Sequence, residues 1–323
     1  MTEANTAKPK SGTLTGSRSV DQALAGFSAG FVSTAVLHPF DLIKTRFQVS
    51  NQQRHTTPGT ASSAGSQSSG TPYQNTLQAY RYILKDEGGH RALYRGVVAN
   101  LAGSTLSWGF YFFWYDTIKS AMRTEKNQKL SPGHHMLASM AAGGITVFFT
   151  NPFWLAKTRI CAQKASDPGA YKGLWDCLSR TYRQEGIRGL YRGVVPALIG
   201  TSHGAVQFTV YEELKKVRAE LVHGDSSDKL GTLEYLAMAA LSKIMATSIT
   251  YPYQVVKARI QNQRSENPAT SRSVLGTVGV IWRNEGLRGF YRGLETGLLR
   301  VLPGTCITFV VYETLSKAFA NTK

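Results

Sequence analysis

The chain copies one segment three times. An octapeptide that opens on proline and closes on two basic residues recurs as Pro39-Phe-Asp-Leu-Ile-Lys44-Thr-Arg46, Pro152-Phe-Trp-Leu-Ala-Lys157-Thr-Arg159 and Pro252-Tyr-Gln-Val-Val-Lys257-Ala-Arg259, at intervals of 113 and 100 residues. Each is answered downstream by an acid–glycine pair (Glu87-Gly88, Glu185-Gly186, Glu285-Gly286). A second cassette follows it: Leu93-Tyr-Arg-Gly96, Leu190-Tyr-Arg-Gly193 and Phe290-Tyr-Arg-Gly293. A long apolar run, a kinking proline and a basic pair at so long a period define one membrane unit in triplicate. Length alone, 323 residues, would have suggested two soluble domains.

Charge is distributed to match. Residues 22–40, 97–115, 132–156 and 193–211 hold no Asp, Glu, Lys or Arg. Each approaches the roughly 20 residues a helix needs to cross a bilayer core. Two further stretches, 230–256 and 296–312, are interrupted inside by Lys243 and Arg300, which brings the expected spans to six. Gly, Ser and Thr are frequent in them, a composition that suits close packing between membrane helices. The net charge of +17 is unevenly placed. Segments 44–95, 157–192 and 257–292 hold 22 of the 37 cations, whereas 116–131 and 212–234 hold 8. That alternation fits loops on opposite sides of a membrane, and argues against a soluble nucleic-acid-binding face.

The units read as repeat 1 over 19–122, repeat 2 over 123–221 and repeat 3 over 222–323, after a tail at 1–18 that lacks the apolar core of a secretory signal. In each, a long helix meets the Pro motif, a short amphipathic helix follows (77–86, 174–183, 274–283), and a second long helix leaves the Tyr-Arg-Gly cassette. Leu77, Tyr80 and Leu84 show the helical spacing. The acid–glycine pairs predict helix stops. Repeat 1 carries 16 extra residues within 49–72, rich in Ser, Gly, Thr and Gln, a composition expected to form a flexible loop. Cys161, Cys177 and Cys306 have no metal or disulfide spacing. His38, His134, His135 and His203 show no nucleophile or ligand partner, so no enzyme and no cofactor are expected.

The triplicated motif resembles the signature of the mitochondrial carrier family over residues 20–320. The resemblance implies an all-α membrane protein, with six transmembrane helices in three pseudo-symmetric repeats around a cavity and short amphipathic helices on the matrix side. It implies alternating access across the mitochondrial inner membrane, with both termini toward the intermembrane space and a monomer as the working unit. Membrane lipid, cardiolipin included, is an expected partner, and nucleic acid is not. Trp154 in place of the motif acid is similar to the branch that carries folate, flavin, pyridine and pyrimidine nucleotides. Gly200-Thr-Ser-His-Gly204 and Leu106-Ser-Trp-Gly-Phe-Tyr-Phe-Phe113 look like its FAD and folate carriers.

Carried over by motif, the resemblance pairs Asp41 with Lys157, Trp154 with Lys257 and Gln254 with Lys44 in a matrix gate. Gln48 and Gln261 lie beneath as braces, and Cys161 stands where the second brace is expected. One ion pair of three survives. Trp154 and Gln254 either tune the gate or merely fill the acid's place. The opposite, cytosolic-side gate would use Asp116, Lys119, Glu212, Lys215 and Glu313. With Ser316 in a basic position, two pairs at most can form there. Shallow wells on both sides would favour turnover.

Substrate contacts implied at the seventh residue after each cassette glycine are Gly103, Gly200 with Thr201, and Arg300. Two small contacts leave room for a bulky ligand. Lys243 is expected on the face of Gln254, three helical turns away; the alternative is a lysine whose head group reaches a polar surface. Asn100, Trp108, His203 and Gln207 complete the set. Arginine suits phosphate or carboxylate, and Trp108 suits a planar ring. The cargo expected is FAD, then folate or tetrahydrofolate, then NAD or a pyrimidine nucleotide. A different class is a receptor or proton leak of the same fold that carries nothing.

Overall fold

A computed structural model of the protein describes residues 18–50, 73–122, 131–222, 232–263 and 273–321. The N-terminal tail up to residue 17, and the Ser/Gly-rich segment from residue 51 to residue 72, lie outside the described residues. Repeat 1 forms α1 (Arg18–Val49), α2 (Thr76–Asp86), α3 (His90–Leu93) and α4 (Val97–Ala121). Repeat 2 forms α5 (Pro132–Ala162), α6 (Leu174–Leu190), α7 (Val194–Ile199), a 3-10 turn at Gly200–Ser202 and α8 (His203–Val222). Repeat 3 forms α9 (Thr232–Asn262), α10 (Val274–Phe290), α11 (Leu294–Leu299) and α12 (Val301–Asn321). Among the described residues there is no strand.

By compactness the chain falls into two units, residues 1–37 with 302–323, and residues 38–301. In the first, the Ser33 hydroxyl donates to the Gly304 carbonyl at 3.5 Å. All three Pro motifs and all three cassettes lie in the second.

Helices α1, α5 and α9 do not stop at their prolines. Each runs about ten residues past, with Pro39, Pro152 or Pro252 inside it. Proline removes one i→i−4 bond, a loss membrane helices tolerate. The motif cations therefore ride on the last turns of the long helices. The acid–glycine pairs do interrupt helices: Gly88 separates α2 from α3, and Gly186 and Gly286 break α6 and α10 at φ of 66° and 60°. The cassette glycines Gly96, Gly193 and Gly293 start the next helix from the left-handed region at φ of 83°, 80° and 82°, where a Cβ is strained.

The face that α2 buries is Thr76, Ala79 and Ile83; Leu77 and Tyr80 are exposed. Trp175 and Tyr182 on α6, and Leu275 and Trp282 on α10, are exposed too. On α2, Ala79 and Ile83 share a core cluster with Leu42, Ile43, Tyr73 and Leu93, with Tyr82 and Leu84 partly buried against it. Two stretches, Gly133–Ala162 and Val274–Ala318, are long and apolar enough by length and composition to cross a membrane. In the other long helices, Gly, Ser and Thr dilute hydropathy. Phe112, Phe113, Phe148, Phe149 and Phe208 are all exposed on long helices, the arrangement lipid requires and water penalises.

Candidate functional site

Asp41 is buried at the end of α1 with two cations on it. Arg300 lies 2.8 Å from Oδ1 and Lys157 3.6 Å from Oδ2. The Asn100 amide donates to Oδ2 at 3.0 Å and approaches Nδ1 of His38 at 3.2 Å. The other ring nitrogen of His38 lies 3.0 Å from the Arg95 carbonyl. That carbonyl can only accept, so Nε2 carries the proton and Nδ1 accepts from Asn100. The sequence reading gave Asp41 one partner, Lys157. It placed Arg300 and Asn100 among the cargo contacts; the structure puts both on Asp41.

Two junctions lack a carboxylate. Lys44 donates to Gln254 at 3.0 Å and sits 5.3 Å from the Tyr251 ring. Lys257 lies over the Trp154 ring at 5.9 Å, and Lys157 lies over the same ring at 5.2 Å. Cation–π contacts are worth about 0.5–2 kcal/mol, so Trp154 holds its neighbours more weakly than a carboxylate would. Its indole N–H donates to Ser107 at 3.1 Å. Below, Gln48 donates to the Tyr251 hydroxyl at 3.2 Å and Thr158 donates to Gln261 at 2.9 Å. The Cys161 thiol, where the second brace is expected, donates to the Arg95 carbonyl at 3.4 Å.

A second layer went unread in the sequence. The last basic residue of each motif pairs with the acid of its own repeat's acid–glycine pair: Arg46 with Glu87 and Arg159 with Glu185, both at 2.6 Å, and Arg259 with Glu285. The Nε of the same arginine crosses to the next repeat, from Arg46 to the Cys161 carbonyl, Arg159 to Gln261 and Arg259 to Gln48. These guanidiniums are buried, and breaking such a pair costs about 3–5 kcal/mol. The signal was the recurrence of glutamate before glycine three times, which the sequence reading took only as a helix stop. Lys164 adds a contact outside the long helices, 3.0 Å from the Tyr82 hydroxyl and 3.7 Å from Glu87. Partial burial works against its charge, but the Tyr82 hydroxyl and Glu87 outweigh it, and its pKa lies above the ordinary lysine value.

The small contact positions are covered. A Cβ on Gly103 would stand 3.5 Å from the Trp154 ring, and one on Gly200 2.8 Å from the Tyr253 ring. Rings of the neighbouring long helix fill the room expected for a ligand. The Thr201 hydroxyl donates back to Leu198 at 2.7 Å. His203 meets the Thr250 hydroxyl at 2.8 Å. Trp108 is 63% exposed and stacks on Phe112 at 5.7 Å. Gln207 is half-buried. Lys243 is exposed, and among the described residues no carboxylate pairs with Lys44, Lys243 or Lys257.

At the opposite end, no ion pair joins Asp116, Lys119, Glu212 or Lys215 among the described residues. Lys119 lies over Tyr115 at 5.7 Å, and Tyr115 meets His135 at 2.8 Å. Glu313 pairs with Lys317 one turn along α12, at 2.7 Å.

A set of helix pairs tied end to end by a repeated Pro motif is the architecture of a solute carrier. The family pattern described as mitochondrial carrier protein matches residues 16–126, 128–220 and 228–323, and the chain belongs to that family. It is 40% identical over 306 residues to folate transporter 1, chloroplastic, of Arabidopsis thaliana, covering 92% of this chain and 94% of that one. It is 39% identical to nicotinamide adenine dinucleotide transporter 1, chloroplastic, of the same plant, over 90% of this chain and 89% of that one. To the mitochondrial FAD carrier protein FLX1 of Saccharomyces cerevisiae it is 32% identical, over 91% of this chain and 95% of that one. The resemblance read from the Pro motifs holds, and the chain is a carrier of small solutes.

Proposed function

We propose that the chain moves an anionic metabolite bearing a planar heteroaromatic ring across the mitochondrial inner membrane by alternating access. FAD and folate are the leading cargos. One observation carries the reading: Lys44, Lys157, Lys243, Lys257 and Arg300 stand on or beside the spanning helices, and among the described residues the one carboxylate paired with any of them is Asp41. Charge in that setting is costly without a partner, and an anionic tail supplies one. Arg300 and Lys243 would take the anion. Trp108, Trp154 and Tyr253 offer faces to the ring. Gly103, Gly200, Thr201, Asn100, His203 and Gln207 would shape the rest of the site once their present contacts part.

In this reading Asp41, Lys44, Trp154, Lys157, Gln254, Lys257, Gln48 and Gln261 form the matrix gate, here closed. Asp116, Lys119, Glu212, Lys215 and Glu313 form the cytosolic-side gate. Residue chemistry does not separate FAD from folate, and the family resemblance ranks flavin or folate ahead of the other nucleotides. The relatives' identities, 40% for a folate transporter and 32% for an FAD carrier, favour folate at least equally.

Purified protein in liposomes, loaded with FAD, folate or NAD, tests this. Exchange of labelled FAD or folate is expected, with KM raised about tenfold or more by Arg300→Ala and by Lys243→Ala. Riboflavin, which has the ring without the anionic tail, is not carried. Exchange of none of the panel, with proton conductance or no activity, would replace this reading with a non-transporting protein of the same fold.

A further inference from the structure

The residue just before each motif proline differs in every repeat: His38, Asn151 and Tyr251. All three are buried, and all three make the same bond. His38 Nε2 lies 3.0 Å from the Arg95 carbonyl, the Tyr251 hydroxyl 3.0 Å from the Arg292 carbonyl, and the Asn151 amide 2.8 Å from the Leu190 carbonyl and 3.3 Å from that of Arg192. Each acceptor set includes the carbonyl of the Tyr-Arg-Gly arginine in the same repeat. Three unlike side chains thus deliver one N–H or O–H to one place. Asn151 leaves its own Oδ1 buried without a partner, a cost of about 1–3 kcal/mol. Its amide is retained for what it donates.

The bonded carbonyl immediately precedes the left-handed glycine that starts the following helix. Those starts are alike: Asn100, Ala197 and Gly297 each donate to the cassette glycine carbonyl at 3.0–3.1 Å. The other side of the turn is fixed by the next repeat. A Cβ on Gly96 would meet Cys161 Sγ at 2.9 Å, and one on Gly193 would meet Gln261 Cγ at 2.8 Å. The pre-proline donor ties the turn to its own repeat's long helix from the other side. The turn sets the register in which Asn100 and Gly103, Gly200, or Gly297 and Arg300 face the cargo.

We propose that His38, Asn151 and Tyr251 are positioning residues, each a donor that clamps the cassette turn and so aims the contact positions four and seven residues on. Chemistry of the side chain is free to vary; the donated hydrogen is not. The clamp stands on hydrogen-bond geometry and does not depend on which solute is carried.

The test replaces Asn151 and Tyr251 and leaves His38 in place, since His38 also touches Asn100; Tyr251→Phe also takes the acceptor from Gln48, so its KM effect is read against Gln48→Leu. Asn151→Leu and Tyr251→Phe remove the donor; Asn151→His exchanges it for the one repeat 1 uses. Two readouts are taken on purified protein: amide hydrogen exchange by peptide, and KM against Vmax for the cargo that wild type carries. Asn151→Leu is expected to speed exchange at least tenfold in the peptide covering 193–200 and not in that covering 96–103. Tyr251→Phe does the same for 293–300. KM rises about tenfold in both, and Asn151→His returns both readouts to within about threefold of wild type. Unchanged exchange at the matching turn would overturn the clamp, and so would a global rise in exchange or a fall in Vmax at constant KM. If wild type carries none of the panel, the cargo reading has failed, and the hydrogen-exchange pattern alone decides the clamp.

Discussion

Asp41 has three partners and no substitute. Its two oxygens hold Arg300, Lys157 and the Asn100 amide, so any anion that captures Arg300 also loosens Asp41. Asp41→Asn keeps the shape and removes the charge, leaving two cations side by side. The expected result is a lower thermal midpoint in detergent and an exchange rate cut about tenfold in liposomes, read by thermal unfolding and tracer uptake. Gly200→Ala puts a methyl 2.8 Å from the Tyr253 ring. It should raise KM about fivefold or more, and Tyr253→Ala in the same chain should relieve most of that rise. At this scale the family resemblance reached Asp41, Lys157, Gln254 and Trp154, because it says which motif positions pair. It missed Arg300 on Asp41 and the rings over Gly103 and Gly200. Those contacts depend on how far each helix is rotated, which spacing along the chain does not encode.

The short helices α2, α6 and α10 each leave large apolar or aromatic side chains exposed beside buried ones such as Ile83, Leu174 and Ile281. The sequence pattern announced amphipathic helices correctly but left open which face meets protein. Alanine and threonine do so on α2, because close approach to the Pro-motif helix admits only small groups beside Ile83. Leu77, Trp175 and Trp282 remain exposed. Tryptophan with one apolar and one polar edge belongs at a membrane interface. Lipids brominated near the head group should therefore quench the fluorescence of Trp175 and Trp282, measured in chains where the other tryptophans are phenylalanine. Quenching no greater than that of free indole in buffer would place these faces in water. The long helices were legible in number and approximate place from their uncharged runs. Their continuation through proline was not, since a proline reads locally as a stop and is overridden here by the contacts its helix makes beyond it.

Across the molecule, one unit was copied and then allowed to diverge at its edges. In the proposed site, five cations with Asp41 as their one paired carboxylate among the described residues would make a basin of positive potential. Raising ionic strength from about 0.05 to 0.2 M shortens the Debye length and should raise KM for an anionic cargo several-fold while leaving Vmax little changed. A KM indifferent to salt would remove the electrostatic account of cargo capture. The threefold plan was visible in the sequence because its motifs are covalently local. Which repeat reaches which was not, apart from what the family resemblance implied. The structure supplies that order through Arg46, Arg159 and Arg259, each bonding its own repeat's glutamate and the next repeat's carbonyl.

The loss of a brace at Cys161 has a kinetic meaning. The junction between repeats 1 and 2 rests on an ion pair without a brace. The one between 2 and 3 rests on an indole face and Gln261, and the one between 3 and 1 on an amide–lysine bond and Gln48. Bonds of unequal strength do not rupture in unison. A continuous water path through the protein needs all three apart while the far end is also open. In the proposed cycle, staggered release would make that coincidence brief, so asymmetry among the repeats would act as insulation against ion leak. Cys161→Gln, which adds a brace to the junction that already holds the carboxylate, widens the inequality and should lower proton leak through carrier-bearing liposomes, as followed with an internal pH dye.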